Sequence, residues 1–351
     1  MELATTIQRH ADMPDTRHAW ITDGRFTCSY QELPDLLAAI DRQLRSLVDP
    51  RACLALECSN TLPAALTLIC LLQGDYRWML LPPGGAHEKG SELKPLPAMC
   101  QYRLRLNLAA IAAAGEGWPH ASVFDLEANA GCQRAGGEGG QPQGQLYIRT
   151  SGSMGAAKIV AYSHDKLLNN ARNCVERFQL AVGDRVALAV PIFHMYGLGA
   201  GFLPALLAGA AIDLQENSQV LRYLDRERTF APSAAFLTPA LCAMIVERRR
   251  SPRPYRMAVS AGARLAAEII HTFAQQSGPL LNLYGSTELG AIAAPAPTDP
   301  LDLRAATIGR PMAGVSLVPA AQLQAESRVG PPPAEALSDE LFCRHPWGFD
   351  A

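Results

Sequence analysis

Between Val186 and Ile212 the chain carries no Asp, Glu, Lys or Arg. An uncharged run of that length has two homes, the hydrocarbon of a bilayer or the interior of a large folded core. Its own residues favour the second. Pro191 and Pro204 interrupt a helix, and Gly197, Gly199 and Gly201 weaken one. A strand, a turn and a helix fit the segment better than one continuous span, so no membrane span is expected.

A core able to absorb that run needs apolar material, and 48% of the 351 residues are apolar against 18% charged. That balance excludes disorder of the whole chain. At roughly 100–200 residues per domain, the length allows two or three domains or one large α/β domain. A net charge of −2 predicts no nucleic-acid or anionic-membrane footprint. The nine cysteines are odd in number, irregularly spaced and without a C-x-x-C pair. Neither a disulfide framework nor a structural zinc site is expected, and a cytoplasmic setting is. Met1-Glu2-Leu3 opens no basic-then-apolar leader, so no secretory signal is expected.

Periodicity supplies the elements. Residues 1–48 read as an amphipathic helix, a hairpin-like turn and a second helix with Leu33, Leu36, Leu37, Ile40, Leu44 and Leu47 at helical spacing. Ala52–Glu57 reads as a buried strand, Leu62–Leu72 as a buried helix and Tyr76–Leu81 as a strand. The Gly/Gln-rich stretch Gly131–Gly144 reads as a surface connection. Beyond it the alternation resumes through Gln145–Ile148, Arg185–Val190, Ala210–Leu214, Ala234–Leu237, Pro239–Arg248, Met257–Ser260, Ala266–Gln276 and Leu280–Leu283. Such alternation predicts a parallel α/β sheet. Two subdomains are expected, 1–144 and 145–351. Glu247-Arg248-Arg249-Arg250 reads as a helix C-terminus, where cations complement the dipole.

The strongest chemical signal is Thr150-Ser151-Gly152-Ser153-Met154-Gly155-Ala156-Ala157-Lys158. Small residues let backbone N–H groups approach an anion, hydroxyls donate to phosphate oxygens and a lysine neutralises charge. A P-loop needs Gly-Lys-Ser/Thr, which is absent, and a plain Ser/Gly turn is the alternative on composition alone. Other constellations fail. Ser163, His164 and Asp165 are consecutive, so their side chains cannot converge as a triad, and no G-x-S-x-G elbow occurs.

With the following Ile159 to His164, this loop resembles the phosphate-binding signature of the adenylate-forming enzymes: acyl- and aryl-CoA synthetases, peptide-synthetase adenylation domains and firefly luciferase. Further resemblances follow in family order. Pro191-Ile192-Phe193-His194-Met195-Tyr196-Gly197 resembles the segment beside the acyl pocket. Ser260-Ala261-Gly262-Ala263-Arg264-Leu265 resembles the turn that borders adenine and the acyl group. Tyr284-Gly285-Ser286-Thr287-Glu288 matches the family's Y-G-x-T-E, and Gly309-Arg310-Pro311 with Gly314-Val315 resembles the next segment. The resemblance runs from about Tyr30 to Phe349.

That resemblance implies layered mixed sheets with flanking helices, the N-terminal region of the adenylate-forming fold. It implies activation of a carboxylic acid by ATP, then transfer to CoA or a phosphopantetheine thiol of a carrier protein. Lys158, His194, Thr287 and Glu288 are the implied catalytic residues, with Glu288 on Mg²⁺. Thr150, Ser151, Gly152, Ser153, Gly155, Lys158, Gly262, Ala263, Tyr284, Gly285, Ser286 and Thr287 would hold the nucleotide. His194, Tyr196, Gly197, Gly262 and Gly290 would border the acid. Amino-acid-activating relatives place an aspartate where this chain has Phe193–Tyr196, so an acid lacking an α-amino group is expected, aryl or short-to-medium acyl.

Two departures matter. Met154 stands where the family has a hydroxyl, and Ala157 where it has proline. The family's small C-terminal domain, with its assisting lysine, has no counterpart here, so a separate such domain is an expected partner. The competing expectation is a non-catalytic module that binds nucleotide or acyl ligand.

Overall fold

The computed structural model describes residues 2–14, 19–84, 96–114, 123–132, 144–150, 158–216, 219–319 and 341–350. The chain begins with α1 (Glu2–Asp12), the hairpin β1 (Trp20–Thr22) and β2 (Thr27–Ser29), and α2 (Leu33–Leu47). Next come β3 (Cys53–Glu57), α3 (Leu62–Gln73), β4 (Arg77–Leu81), β5 (Tyr102–Leu106), α4 (Leu108–Ala114) and β6 (Phe124–Ala128). The hairpin β7 (Gln145–Arg149) and β8 (Ile159–Ser163) feeds α5 (His164–Phe178). After β9 (Arg185–Leu188), a π-helix (Tyr196–Phe202) continues as α6 (Leu203–Leu207) into β10 (Ala211–Leu214). Then α7 (Val220–Phe230), β11 (Ala234–Leu237), α8 (Pro239–Arg248), β12 (Met257–Ser260), α9 (Ala267–Ser277) and β13 (Leu280–Asn282) alternate. The last elements are β14 (Tyr284–Ser286), β15 (Gly290–Ala294), α10 (Leu301–Ala306), β16 (Arg310–Pro311), β17 (Ser316–Pro319) and β18 (Leu341–Arg344).

Two large sheets form the body. One has six strands in the order β6-β5-β3-β4-β7-β8, parallel in the middle with antiparallel β6 and β8 at its edges. The other has seven, β13-β12-β11-β9-β10-β1-β2, parallel except for β2. β3 is an almost unbroken run of buried residues (Cys53, Leu54, Ala55, Leu56), as a strand covered on both faces must be. Helix α3 is buried from Leu62 to Leu72 with no polar face, because it is surrounded by core. A single apolar cluster extends from Leu3 through α3 and both sheets to Met312.

The boundary expected at 144/145 falls inside one sheet. β7 hydrogen-bonds to β4, and β8 to β7, so both belong with the strands before the Gly-rich segment. Conversely β1 pairs with β10, almost two hundred residues on, and carries the first hairpin into the other sheet. The reason is that strand pairing follows which apolar edges meet, wherever a Gly-rich stretch falls in the sequence.

The uncharged run folds as strand, turn, helix and strand. No helix among the described residues is long and apolar enough to cross a membrane. Its glycines allow close packing: a Cβ at Gly197 would overlap the Pro191 carbonyl, and one at Gly201 would press on Leu188 of β9. The Glu247–Arg250 run divides. Arg250 donates to the carbonyls of Glu247 and Arg249, 2.8 Å each, as a cation at a helix end does. Arg249 instead turns inward and pairs with buried Glu227 at 2.5 Å, stacked over Tyr255. That corrects the dipole reading for Arg249. All nine cysteines are free thiols.

Candidate active site

Parallel strands release their loops at one edge. In the seven-stranded sheet β9, β11, β12 and β13 are neighbours, with Leu188 beside Phe236, Leu237 beside Ser260, and Ser260 beside Asn282. Their carboxyl ends therefore present Val190–Gly197, the Gly262 turn and Tyr284 side by side. Neighbouring strands lie about 4.8 Å apart, so three spacings place these segments within roughly 15 Å. Crevices outside the carboxyl ends of parallel strands are where open α/β sheets bind ligands.

The first segment is stitched in place by Asn60, which lies between β3 and α3. Its Oδ1 accepts the Ile192 N–H at 2.8 Å, and its Nδ2 faces the carbonyls of Leu188, Val190 and Gln215 at 3.2, 2.9 and 3.1 Å. Tyr196 has its hydroxyl directed at the carbonyls of Val259 (2.7 Å) and Leu237 (3.2 Å). Burial pushes its phenol well above the usual range, so it remains a donor. Tyr196 thus ties the π-helix to the ends of β11 and β12, a supporting position rather than one with a free hydroxyl for substrate. Gly197 is buried. His194 is exposed, with its ring centroid 4.4 Å from that of Phe193. Desolvation lowers its pKa, favouring neutral imidazole.

Gly262 sits at φ +92°, and a Cβ there would meet nothing within 4 Å. Gly262 and Ala263 therefore face open space at the edge. Positive φ is readily adopted only by glycine, which explains the residue type.

The turn between β14 and β15 carries Thr287 and Glu288. Tyr284 and Gly285 are exposed, while Ser286, Thr287 and Glu288 are half-buried. Ser286 Oγ accepts the Leu289 N–H at 3.1 Å and shapes the turn. Tyr162 on β8 donates to the Thr287 carbonyl at 2.9 Å. Burial, then the charge of Glu288, raise the Tyr162 pKa, which keeps the donor protonated. Asn170 on α5 holds Leu289 O at 3.2 Å and Ala291 N at 3.4 Å. Gly290 lies in this grip: it is buried at φ +69°, and a Cβ would collide with the Asn170 amide. Its Cβ side is filled by Asn170, so it has a part in shaping the turn.

Tyr162 thereby ties this turn to the six-stranded sheet, whose edge strand β8 begins just after the phosphate loop. Thr150 and Lys158 close the neck of that loop: Thr150 N–H donates to Lys158 O at 2.8 Å, and Lys158 N–H to Thr150 Oγ1 at 3.2 Å. Lys158 is exposed, with no side-chain partner among the described residues. Ser151, Gly152, Ser153 and Gly155 lie outside the described residues. Sequence reasoning missed Asn60, Tyr162 and Asn170. Asn60 alone left a signal, a polar residue in the short link between a buried strand and a buried helix.

The family model for AMP-binding enzymes matches residues 145–320. The chain belongs to this family, within the adenylate-forming superfamily. It is 26% identical over 315 residues to the indoleacetate–CoA ligase of Aromatoleum aromaticum, covering 84% of this chain and 61% of that protein. ATP-bound MatB from Rhodopseudomonas palustris superposes with a TM-score of 0.71 at 17% identity, over 99% of this chain and 71% of that one. The anthranilate CoA ligase AuaEII with anthranoyl-AMP gives 0.72 at 14%, over 99% and 69%. At those identities the structural likeness speaks for the fold, and the layered mixed sheets agree with it. The chain spans less than two thirds of the length of the indoleacetate ligase.

Proposed function

We propose that this chain activates a carboxylic acid with ATP, forming an acyl-adenylate and pyrophosphate, and that the acyl group passes to the thiol of CoA or of a carrier-protein phosphopantetheine. The observation that carries this reading is the meeting of three motif segments at one carboxyl edge, joined through Tyr162 to the strand that follows Lys158. Carboxylate and triphosphate are both anions, so the first step needs charge neutralised and reactants aligned. Lys158, exposed and unpaired among the described residues, supplies a cation at the neck of the loop. Thr150, Ser151 and Ser153 supply hydroxyls, and Tyr284, Gly262 and Ala263 border the adenine.

Mg²⁺ fits Glu288. Its carboxylate has no cationic partner among the described residues, and those residues hold no cluster of three or more metal-binding side chains. A lone carboxylate suits Mg²⁺, whose shell the phosphates and water complete. When bound, the ion would offset charge on the nucleotide's phosphates.

The acid would lie beside His194 and Gly262. No carboxylate stands among Phe193, His194 and Met195 to pair with an ammonium group, which supports an aryl or short-to-medium acyl acid without an α-amino group. The kinship to an indoleacetate ligase supports the aryl option. Met154 in the loop favours a second reading, nucleotide binding without turnover. Acid-dependent ATP–pyrophosphate exchange over a panel of aryl, short and medium acids tests both. Exchange that needs Mg²⁺ and one class of acid supports the ligase. Saturable ATP binding with no exchange for any acid supports the binding module and overturns the ligase.

A further inference from the structure

The backbone that carries Glu288 is held from two sides. On one, Tyr162 donates to the Thr287 carbonyl at 2.9 Å. On the other, the Phe349 N–H donates to the Glu288 carbonyl at 2.9 Å. Phe349 is itself held by its neighbour. Asp350 donates its own N–H to Ala161 O at 2.7 Å, its Oδ1 pairs with Lys166 Nζ at 2.6 Å, and its Oδ2 accepts the Ser163 N–H. Ser163 caps α5, yet its own side chain makes no capping bond. The Asp350 carboxylate supplies charge there from outside the helix, at the end where negative charge is favoured. The same segment closes on β15 with His345 Nε2 at 2.8 Å from Ala291 O.

We propose that Asp350 is a positioning residue for Glu288: anchored on β8 and α5, it fixes Phe349 against the turn and so sets where the Glu288 carboxylate sits. This rests on Glu288 as the ligand of the nucleotide's metal. A carboxylate that would hold a metal ion beside the nucleotide tolerates little displacement, since small misplacements cost large factors in rate. The anchor has two parts with different chemistry. An amide at position 350 keeps an acceptor for the Ser163 N–H and loses the ion pair. Alanine loses both.

The test uses the full chain with Asp350→Ala, Asp350→Asn and Lys166→Met. Hydrogen exchange is read by mass spectrometry in peptides covering residues 284–291. Faster exchange in Asp350→Ala, with Asp350→Asn and Lys166→Met between it and the parent, is expected. Pyrophosphate exchange is expected to fall about tenfold in kcat for Asp350→Ala, with the KM for the acid unchanged and a higher Mg²⁺ requirement, partly restored in Asp350→Asn. Unchanged amide exchange in Asp350→Ala overturns the proposal, whatever the activity. So does an equal loss in kcat and in affinity for the acid. A parent chain without pyrophosphate exchange overturns the catalytic reading alone, and the amide-exchange arm still decides the anchor.

Discussion

Asn60 reaches across the molecule to Ile192: its Oδ1 accepts that N–H at 2.8 Å, from a position 132 residues earlier in the chain. The same amide serves carbonyls at the ends of β9 and β10, so one buried side chain sets the start of the segment carrying His194 and Tyr196. Asn60→Ala would strand a buried N–H and leave three carbonyls without this donor. Leaving buried groups unsatisfied costs about 1–3 kcal/mol. We expect a loss of about 3 kcal/mol in urea unfolding, with an unchanged m-value. A loss below about 0.5 kcal/mol would show that water replaces the amide.

Arg249 offers a second case. Its guanidinium and Glu227 are both buried, so removing one charge leaves the other uncompensated. Breaking a buried pair in this way costs about 3–5 kcal/mol. Arg249→Met is expected to destabilise by that amount, and the double variant with Glu227→Leu to recover most of it. Equal losses in the single and double variants would refute the coupling.

His164 makes stability depend on pH. Trp78 Nε1–H donates to its Nε2 at 2.9 Å, and burial lowers its pKa from 6.5 to about 4. The unfolded chain therefore binds more protons than the folded one between these values. Stability from the neutral ring is complete above pH 6.5 and falls as pH drops toward 4. A shift of that size corresponds to about 3 kcal/mol. Chemical denaturation at pH 7.5, 5.5 and 4.5 should show the decline, and His164→Gln should flatten it. A parallel decline in the variant would assign it to other groups.

Lys158 and Glu288 separate chemistry from folding. The lysine is exposed and the glutamate pairs with no cation among the described residues, so neither alanine variant should move the thermal midpoint by more than a degree or two. Lys158→Ala is expected to lower pyrophosphate exchange about 100-fold or more, and Glu288→Ala to raise the Mg²⁺ requirement. Full exchange in Lys158→Ala would remove the lysine from the mechanism.

Much of this molecule is legible along the chain. The strands β3, β4 and β9–β13 fall within a residue or two of where apolar runs place them, because each is a short continuous apolar run bounded by polar or turn-forming residues. The motif segments are legible too, since glycine at a positive φ, as at Gly262, is a local demand. Side-chain roles were less so. That the Tyr196 hydroxyl bonds to Val259 O, and that Asn170 packs against Gly290, is not legible from their motifs.

The order of strands and helices, and the small-residue turns between them, are thus properties of the sequence by itself. Only the tertiary structure decided that β7 and β8 join the first sheet, that β1 crosses to the second, that Arg249 is buried, and that Asp350 meets Ser163. The physical reason is separation: periodicity and turn chemistry act over a few residues, whereas pairing of strand edges and burial of a charge depend on groups farther along the chain, from 22 residues for Glu227 and Arg249 to 187 for Ser163 and Asp350.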